Sequence, residues 1–126
     1  MKVKKESLLA LLWVVLVSCG GDGMFEPPDI GSPDGQVTFS GIQSAVLSPR
    51  CASCHFFPYE ALVNVPVLNT TFTFVSPGDP DDSYLYMKLV GDRRILGERM
   101  PQGGPYLDEA TLLAIRSWIE QGARND

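Results

Sequence analysis

Apolar residues are unevenly spread along this 126-residue chain, gathering into one long run near the start and several short periodic segments further on. After the basic stretch Met1-Lys2-Val3-Lys4-Lys5, the run from Leu8 to Val17 is almost continuously apolar. It is too short to cross a bilayer as a mature helix, and it suits the hydrophobic region of a signal peptide. Residues 20–35 hold Gly20-Gly21-Asp22-Gly23, Pro27-Pro28 and Ser32-Pro33-Asp34-Gly35 with no hydrophobic period, which predicts a flexible tether. Between residues 39 and 48, Phe39, Ile42 and Val46 recur at helical spacing with Leu47 beside them. Ser40 and Gln43 have capping-box spacing, and Pro49 is expected to stop this helix. Thr70-Thr71-Phe72-Thr73-Phe74-Val75 alternates as a short strand would, but it is too isolated to build a sheet. The turn chemistry of Ser76-Pro77-Gly78-Asp79-Pro80-Asp81-Asp82 feeds a short helix over residues 83–89, capped by Asp81 or Asp82 and ended near Gly91. A breaker-rich loop follows, with Arg93, Arg94, Arg99, Met100, Pro101, Gly103, Gly104 and Pro105. The last element is the clearest: Asp108 caps it, Leu112, Ile115 and Ile119 form an apolar face flanked by Leu113 and Trp118, and Gly122 closes it.

With 44% of its residues apolar, the chain suits one domain with a modest core. The first apolar run ends in Leu16-Val17-Ser18-Cys19-Gly20, which resembles the bacterial lipobox, where lipid is placed on the cysteine and the signal is cut before it. The expected organisation is therefore a lipoprotein signal peptide over 1–18, a tether over 19–36 anchored through Cys19, and one domain over 37–126. An ordinary secretory signal with an incidental cysteine is the plainer alternative. Both put the domain outside the cytoplasm, at a periplasmic or cell-surface face of the bacterial envelope. Removing residues 1–18 takes three of the ten basic residues and one of the fifteen acidic ones, leaving seven and fourteen and a net charge near −7. That balance argues against nucleic acid, which demands a basic face. It permits steering toward a basic partner, and it serves solubility equally well.

The chemistry concentrates in Cys51-Ala52-Ser53-Cys54-His55, the Cys-x-x-Cys-His form in which a c-type haem is attached. Two thiols at this spacing can add across the haem vinyl groups, and the imidazole that follows becomes an axial iron ligand. Three other uses of these residues compete. Structural zinc wants four protein ligands, whereas His55 is the only histidine and Cys19 the only further cysteine. A thioredoxin-like pair would follow a buried strand, which does not precede Cys51. A plain disulfide between Cys51 and Cys54 leaves His55 unexplained. The second axial position falls to Met87, to Met100, or to an open or water-filled site. Met87 sits among Leu85 and Leu89 on a predicted helix and reads as core, whereas Met100 lies in a loop before Pro101 and is the candidate ligand. Phe56, Phe57 and Tyr59 could cover a haem edge or fill an ordinary core. Arg93, Arg94 and Arg99 could pair with haem propionates or form a solvated loop.

Taken together, Cys51 to His55, Pro77-Gly78-Asp79-Pro80-Asp81-Asp82-Ser83-Tyr84-Leu85-Tyr86-Met87-Lys88-Leu89, Arg99-Met100-Pro101-Gln102-Gly103-Gly104-Pro105 and the helix ending Ile115 to Ala123 resemble a known group. They look like the single-haem cytochrome c domains of secreted bacterial proteins, often lipoproteins, over about Phe39 to Ala123. The resemblance implies an all-α, cytochrome c-like fold: three to five short helices around a covalent haem, with long connecting loops and with the N- and C-terminal helices packed together. It implies one haem c bound through Cys51 and Cys54, with His55 as proximal and Met100 as distal ligand. The activity implied is electron transfer between extracytoplasmic partners rather than enzyme catalysis, with the membrane reached through lipid on Cys19. One departure stands out: the chain is short after His55 and lacks the Gly-Pro that many relatives carry there, so the acceptor that orients the His55 ring is unassigned. A peroxidase or ligand sensor with an open sixth position, and a haem-free thiol–disulfide oxidoreductase using Cys51 and Cys54, are the competing functions.

Overall fold

A computed structural model describes residues 30–31 and 35–126; the signal segment 1–18, Cys19 and most of the tether lie outside the described residues. The described chain is helix-rich, and its extended backbone makes only isolated β-bridges rather than a sheet. The packed body begins earlier than residue 37. Ile30 is buried, its carbonyl accepts the Thr38 N–H at 3.1 Å, and Gly31 bridges Val37. A Cβ at Gly41 would run into the Ile30 carbonyl, so this contact requires the glycine.

The first helix departs from expectation at both ends. Helix α1 (Phe39–Ile42) is capped by Thr38, whose Oγ1 accepts the Gly41 N–H at 3.0 Å, and Ser40 lies inside it. It runs without a break through a π-helical stretch, Gln43–Leu47, into α2 (Ser48–Cys51). Pro49 does not stop the helix. A proline ring normally clashes with the carbonyl four residues back and leaves one bond unmade. Here the Ser48 N–H already reaches back five residues to Gln43, and the Ala52 N–H reaches back five to Leu47. The wider π turn makes room for the ring. The result carries the helix two residues beyond Pro49 and ends it on Cys51.

The middle of the chain folds back on itself. Residues 62–75 form a narrow loop in which Asn64, Val75 and Phe74 exchange backbone bonds at 2.8–3.0 Å with Val75, Leu62 and Val65. The sequence 70–75 forms no strand; it makes only isolated bridges, from Thr73 to Pro66 and Ser83 and from Val75 to Val63. A 3₁₀ turn, Pro80–Asp82, is capped by Asp79 rather than leading straight into a helix. Helix α3 (Tyr84–Val90) then starts after Ser83, while Asp81 and Asp82 face outward to pair with Arg116 and Arg94. Gly91 ends α3 in the left-handed region at φ 78°, as expected. Ser83 is fully buried: its Oγ donates to the Asp79 carbonyl at 2.7 Å and accepts the Ser76 N–H at 2.9 Å.

Helix α4 (Glu109–Glu120) matches its sequence signals closely. Asp108 accepts the Thr111 N–H at 2.8 Å, Ile115, Trp118 and Ile119 are buried and Leu112 is half-buried. Leu113, expected to flank the apolar face, is exposed because it lies on the far side of the helix from Ile115 and Ile119. The start of α1 meets α4 through Phe39 and Trp118, whose ring centroids are 5.6 Å apart. The chain end ties the same region: Asp126 accepts the N–H groups of Phe39 and Ser40, and Tyr59 Oη donates to the Ala123 carbonyl at 2.8 Å.

Two stability effects follow. Ser83→Ala removes a buried hydroxyl that joins the part-buried Ser76 N–H to the Asp79 carbonyl, so urea unfolding is expected to show a loss of about 1 kcal/mol. The Asp108 carboxyl is held below the usual carboxylate range, chiefly by the Thr111 backbone N–H. A lowered folded-state pKa gives stability that is complete above the unfolded value, about 3.9, and is lost as pH falls through the folded one. Asp108→Ala should therefore cost about 1 kcal/mol at neutral pH. Asp108→Asn should keep most of that stability while flattening this residue's share of the acid-limb loss in a pH series of melts.

Candidate functional site

Helix α2 ends by delivering Cys51 to the edge of a cavity of about 560 Å³. A tight turn follows, in which the Cys54 and His55 N–H groups both bond back to the Cys51 carbonyl at 3.1 and 2.9 Å. This turn gathers Cys51, Cys54 and His55 at one lip of the cavity, and Arg50, Ser53 and Phe57 line it with them. Phe57 stacks on the His55 imidazole with centroids 5.1 Å apart and planes 15° from parallel. Phe56, its neighbour, points away into solvent at 87% exposure, so of the two adjacent phenylalanines only Phe57 serves the cavity. Tyr59 belongs to the core instead, edge-on to Phe39.

Helix α3 gives another stretch of wall. Tyr84, Leu85, Lys88 and Leu89 line the cavity at helical spacing, with Phe74 from the preceding loop. Met100, Pro101 and Gln102 complete the lining. The sequence thus distinguished the two methionines correctly in their packing: Met87 is 1% exposed and buried in the interior, whereas Met100 is half-buried at the cavity.

The loop that carries Met100 has no regular structure, yet it is fastened at several points. The Met100 N–H donates to the Lys88 carbonyl at 2.9 Å. Lys88 Nζ donates to the Leu96 and Glu98 carbonyls at 2.8 and 2.7 Å. Arg99 Nε donates to the Leu89 carbonyl at 2.7 Å, and its guanidinium lies over the Tyr106 ring at 4.1 Å. From the other side, Arg50 Nη2 donates to the Pro105 carbonyl at 2.6 Å.

These contacts reassign the arginines. Arg94 is bound by Asp92 and Asp82, Arg99 is spent on α3 and Tyr106, and none of Arg93, Arg94 and Arg99 lines the cavity. The cations that do are Arg50 and Lys88, which sequence reasoning passed over. Adjacency of Arg50 to Cys51, and the four-residue spacing of Tyr84 and Lys88 on one helix face, were the available signals.

The donor set discriminates among the groups these residues can hold. A plate-shaped porphyrin needs mostly apolar walls, two thiols beside an imidazole, and a cavity of cofactor size, roughly 300–1,000 Å³. Phe57, Phe74, Leu85, Leu89 and Pro101 supply the walls, and the volume falls within that range. The residues fit. A chelated zinc is less well served: among the described residues no three His, Cys, Asp or Glu side chains come together to hold a metal ion. Cys51 also lacks the signature of an attacking thiol. Burial pushes the Cys51 thiol above its ordinary value, with Arg50 opposing only in part, whereas an attacking cysteine needs a lowered one. No family model, curated protein or solved structure matches this chain.

Proposed function

We propose that this chain is a monohaem cytochrome c that carries single electrons between extracytoplasmic partners, and that its helix-rich body is a cytochrome c-like fold. The observation that carries the reading is the convergence of Cys51, Cys54, His55 and Met100 on one apolar-walled cavity, although Met100 is far from the other three in sequence. Contact between the start of α1 and α4 through Phe39 and Trp118 supports the fold half of the reading.

Cys51 and Cys54 would hold haem c through thioethers, with His55 and Met100 as its axial ligands. Bound there, the haem supplies one-electron exchange between ferrous and ferric iron. The remaining work belongs to the polypeptide. Phe57 stacks on the imidazole and restrains its ring plane. The bond from the Met100 N–H to Lys88, with the Lys88 and Arg99 side-chain ties, sets where the thioether sulfur can lie. Leu85, Leu89, Phe74 and Pro101 keep water from the cavity walls, and low polarity together with a sulfur ligand favours the ferrous state. The proposal extends to the chain's address: a lipid on Cys19, a short tether and a domain held at an envelope membrane. No helix among the described residues is long and apolar enough to cross a membrane. The acidic charge suits donor and acceptor surfaces with basic faces.

The ligand pair is tested on the matured protein by spectrum and by carbon monoxide. Wild type is expected to show the weak far-red band of methionine-ligated ferric haem, and to leave carbon monoxide unbound when reduced. Met100→Ala should lose that band, bind carbon monoxide at once and show a lower reduction potential, while keeping its covalent haem. Rapid carbon monoxide binding by the wild type, unchanged in Met100→Ala, would instead establish an open sixth position and with it the peroxidase or sensor alternative.

A further inference from the structure

Two cations of the cavity carry charge that no carboxylate answers. Among the described residues the ion pairs belong to Arg94, Arg116 and Arg124, each within 3.5 Å of an aspartate or glutamate. Arg50 and Lys88, which line the cavity, have no such partner. Arg93 and Arg99 also make no such pair, but neither lines the cavity, so Arg50 and Lys88 are the cations placed to meet a ligand there. Both side chains are nevertheless fixed in place. Arg50 spends one nitrogen on the Pro105 carbonyl, and Lys88 spends its ammonium on the Leu96 and Glu98 carbonyls. Those bonds restrict the side chains and leave their net charges uncompensated, with further N–H donors on the guanidinium. Arg50 is exposed and Lys88 half-buried, so both cations stay within reach of carboxylates that a ligand seated in the cavity brings with it.

We infer that Arg50 and Lys88 hold the carboxylates of an amphipathic dianion whose apolar plate fills the cavity; resting on the haem reading above, these are the two haem propionates. The assignment replaces Arg93, Arg94 and Arg99. It also gives the two residues an electrostatic role beyond packing. A cation beside a propionate keeps it ionised at neutral pH. Removing the cation raises the propionate's pKa toward neutrality. The propionate is then more acidic when the iron is ferric than when it is ferrous, and the reduction potential becomes dependent on pH. Loss of positive charge near the iron also lowers the potential itself.

The experiment is a pH series of reduction potentials on the matured holoprotein, using wild type, Arg50→Gln, Lys88→Gln and the double variant. Arg50→Lys and Lys88→Arg keep the charges, and Arg124→Gln removes an equal charge from outside the cavity. Wild type, the charge-conserving pair and Arg124→Gln are expected to give nearly flat curves between about pH 6 and 8, where carboxylates paired with cations stay ionised. The Gln variants should fall below them and slope downward as pH rises, most steeply in the double variant, approaching one proton taken up per electron. The single variants carry the test should the double variant fail to mature. Gln variants that hold haem and superimpose on Arg124→Gln would overturn the inference while leaving the haem reading intact. A wild type that holds no haem would overturn both.

Discussion

The cavity depends on a loop without regular structure being held against α3. Residues 96–105 contain glycines and prolines that forbid a helix, so their positions come from side chains bonding to backbone carbonyls. Lys88 reaches forward to Leu96 and Glu98, Arg99 reaches back to Leu89, and Arg50 reaches across from α2 to Pro105. Met100 sits in the middle of these ties, its own N–H bound to Lys88. Only the Arg99 bond is part-buried and the others lie at the surface, so each contributes on the order of 1 kcal/mol against the backbone entropy of the loop. Without that strap, Met100 would not be held among the residues that line the cavity.

The second requirement is the position of Cys51, which is set a long way from the cavity. Ile30, Thr38 and Gly41 fix the start of α1, and Phe39 locks it to Trp118 of α4. From there the helix runs as one rod to its last residue, Cys51. The π stretch matters because it changes which residues share a face. A strict α-helix broken at Pro49 would have stopped before the cysteine, and the motif would have hung from a flexible segment. π turns of this kind occur disproportionately at functional sites, and here the turn lets a proline sit inside the rod that carries the first thiol.

Much of this was legible in the sequence, and what was not has physical causes. Asp108, the apolar positions of α4 and the stop at Gly91 follow local rules that tertiary contacts reinforce, so pattern and structure agree. The separation of Met87 from Met100 was legible because one lies on a helical period and the other between breakers. Pro49 misled because helix-stopping rules assume i→i−4 bonding, which Gln43–Leu47 abandons. Ser40 lost the capping role to Thr38, whose extended backbone is fixed by its bond to Ile30. Ile30 was invisible as a core residue because it stands alone among prolines and glycines and contributes to no period. The cavity's cations were missed for the complementary reason. Arginines close to Met100 in sequence looked like its companions, but the abundant aspartates nearby and the α3 terminus claim Arg94 and Arg99.

Covalent attachment of one haem to Cys51 and Cys54 is read most directly from mass. The chain would be exported in cells with a cytochrome c maturation system, and its intact mass taken before and after acid–acetone extraction. The expected result is a mature chain heavier by one haem, unchanged by extraction, with the added mass mapping to the peptide that contains Cys51 and Cys54. A colourless protein of bare-chain mass, recovered beside a control cytochrome that matured normally, would contradict it.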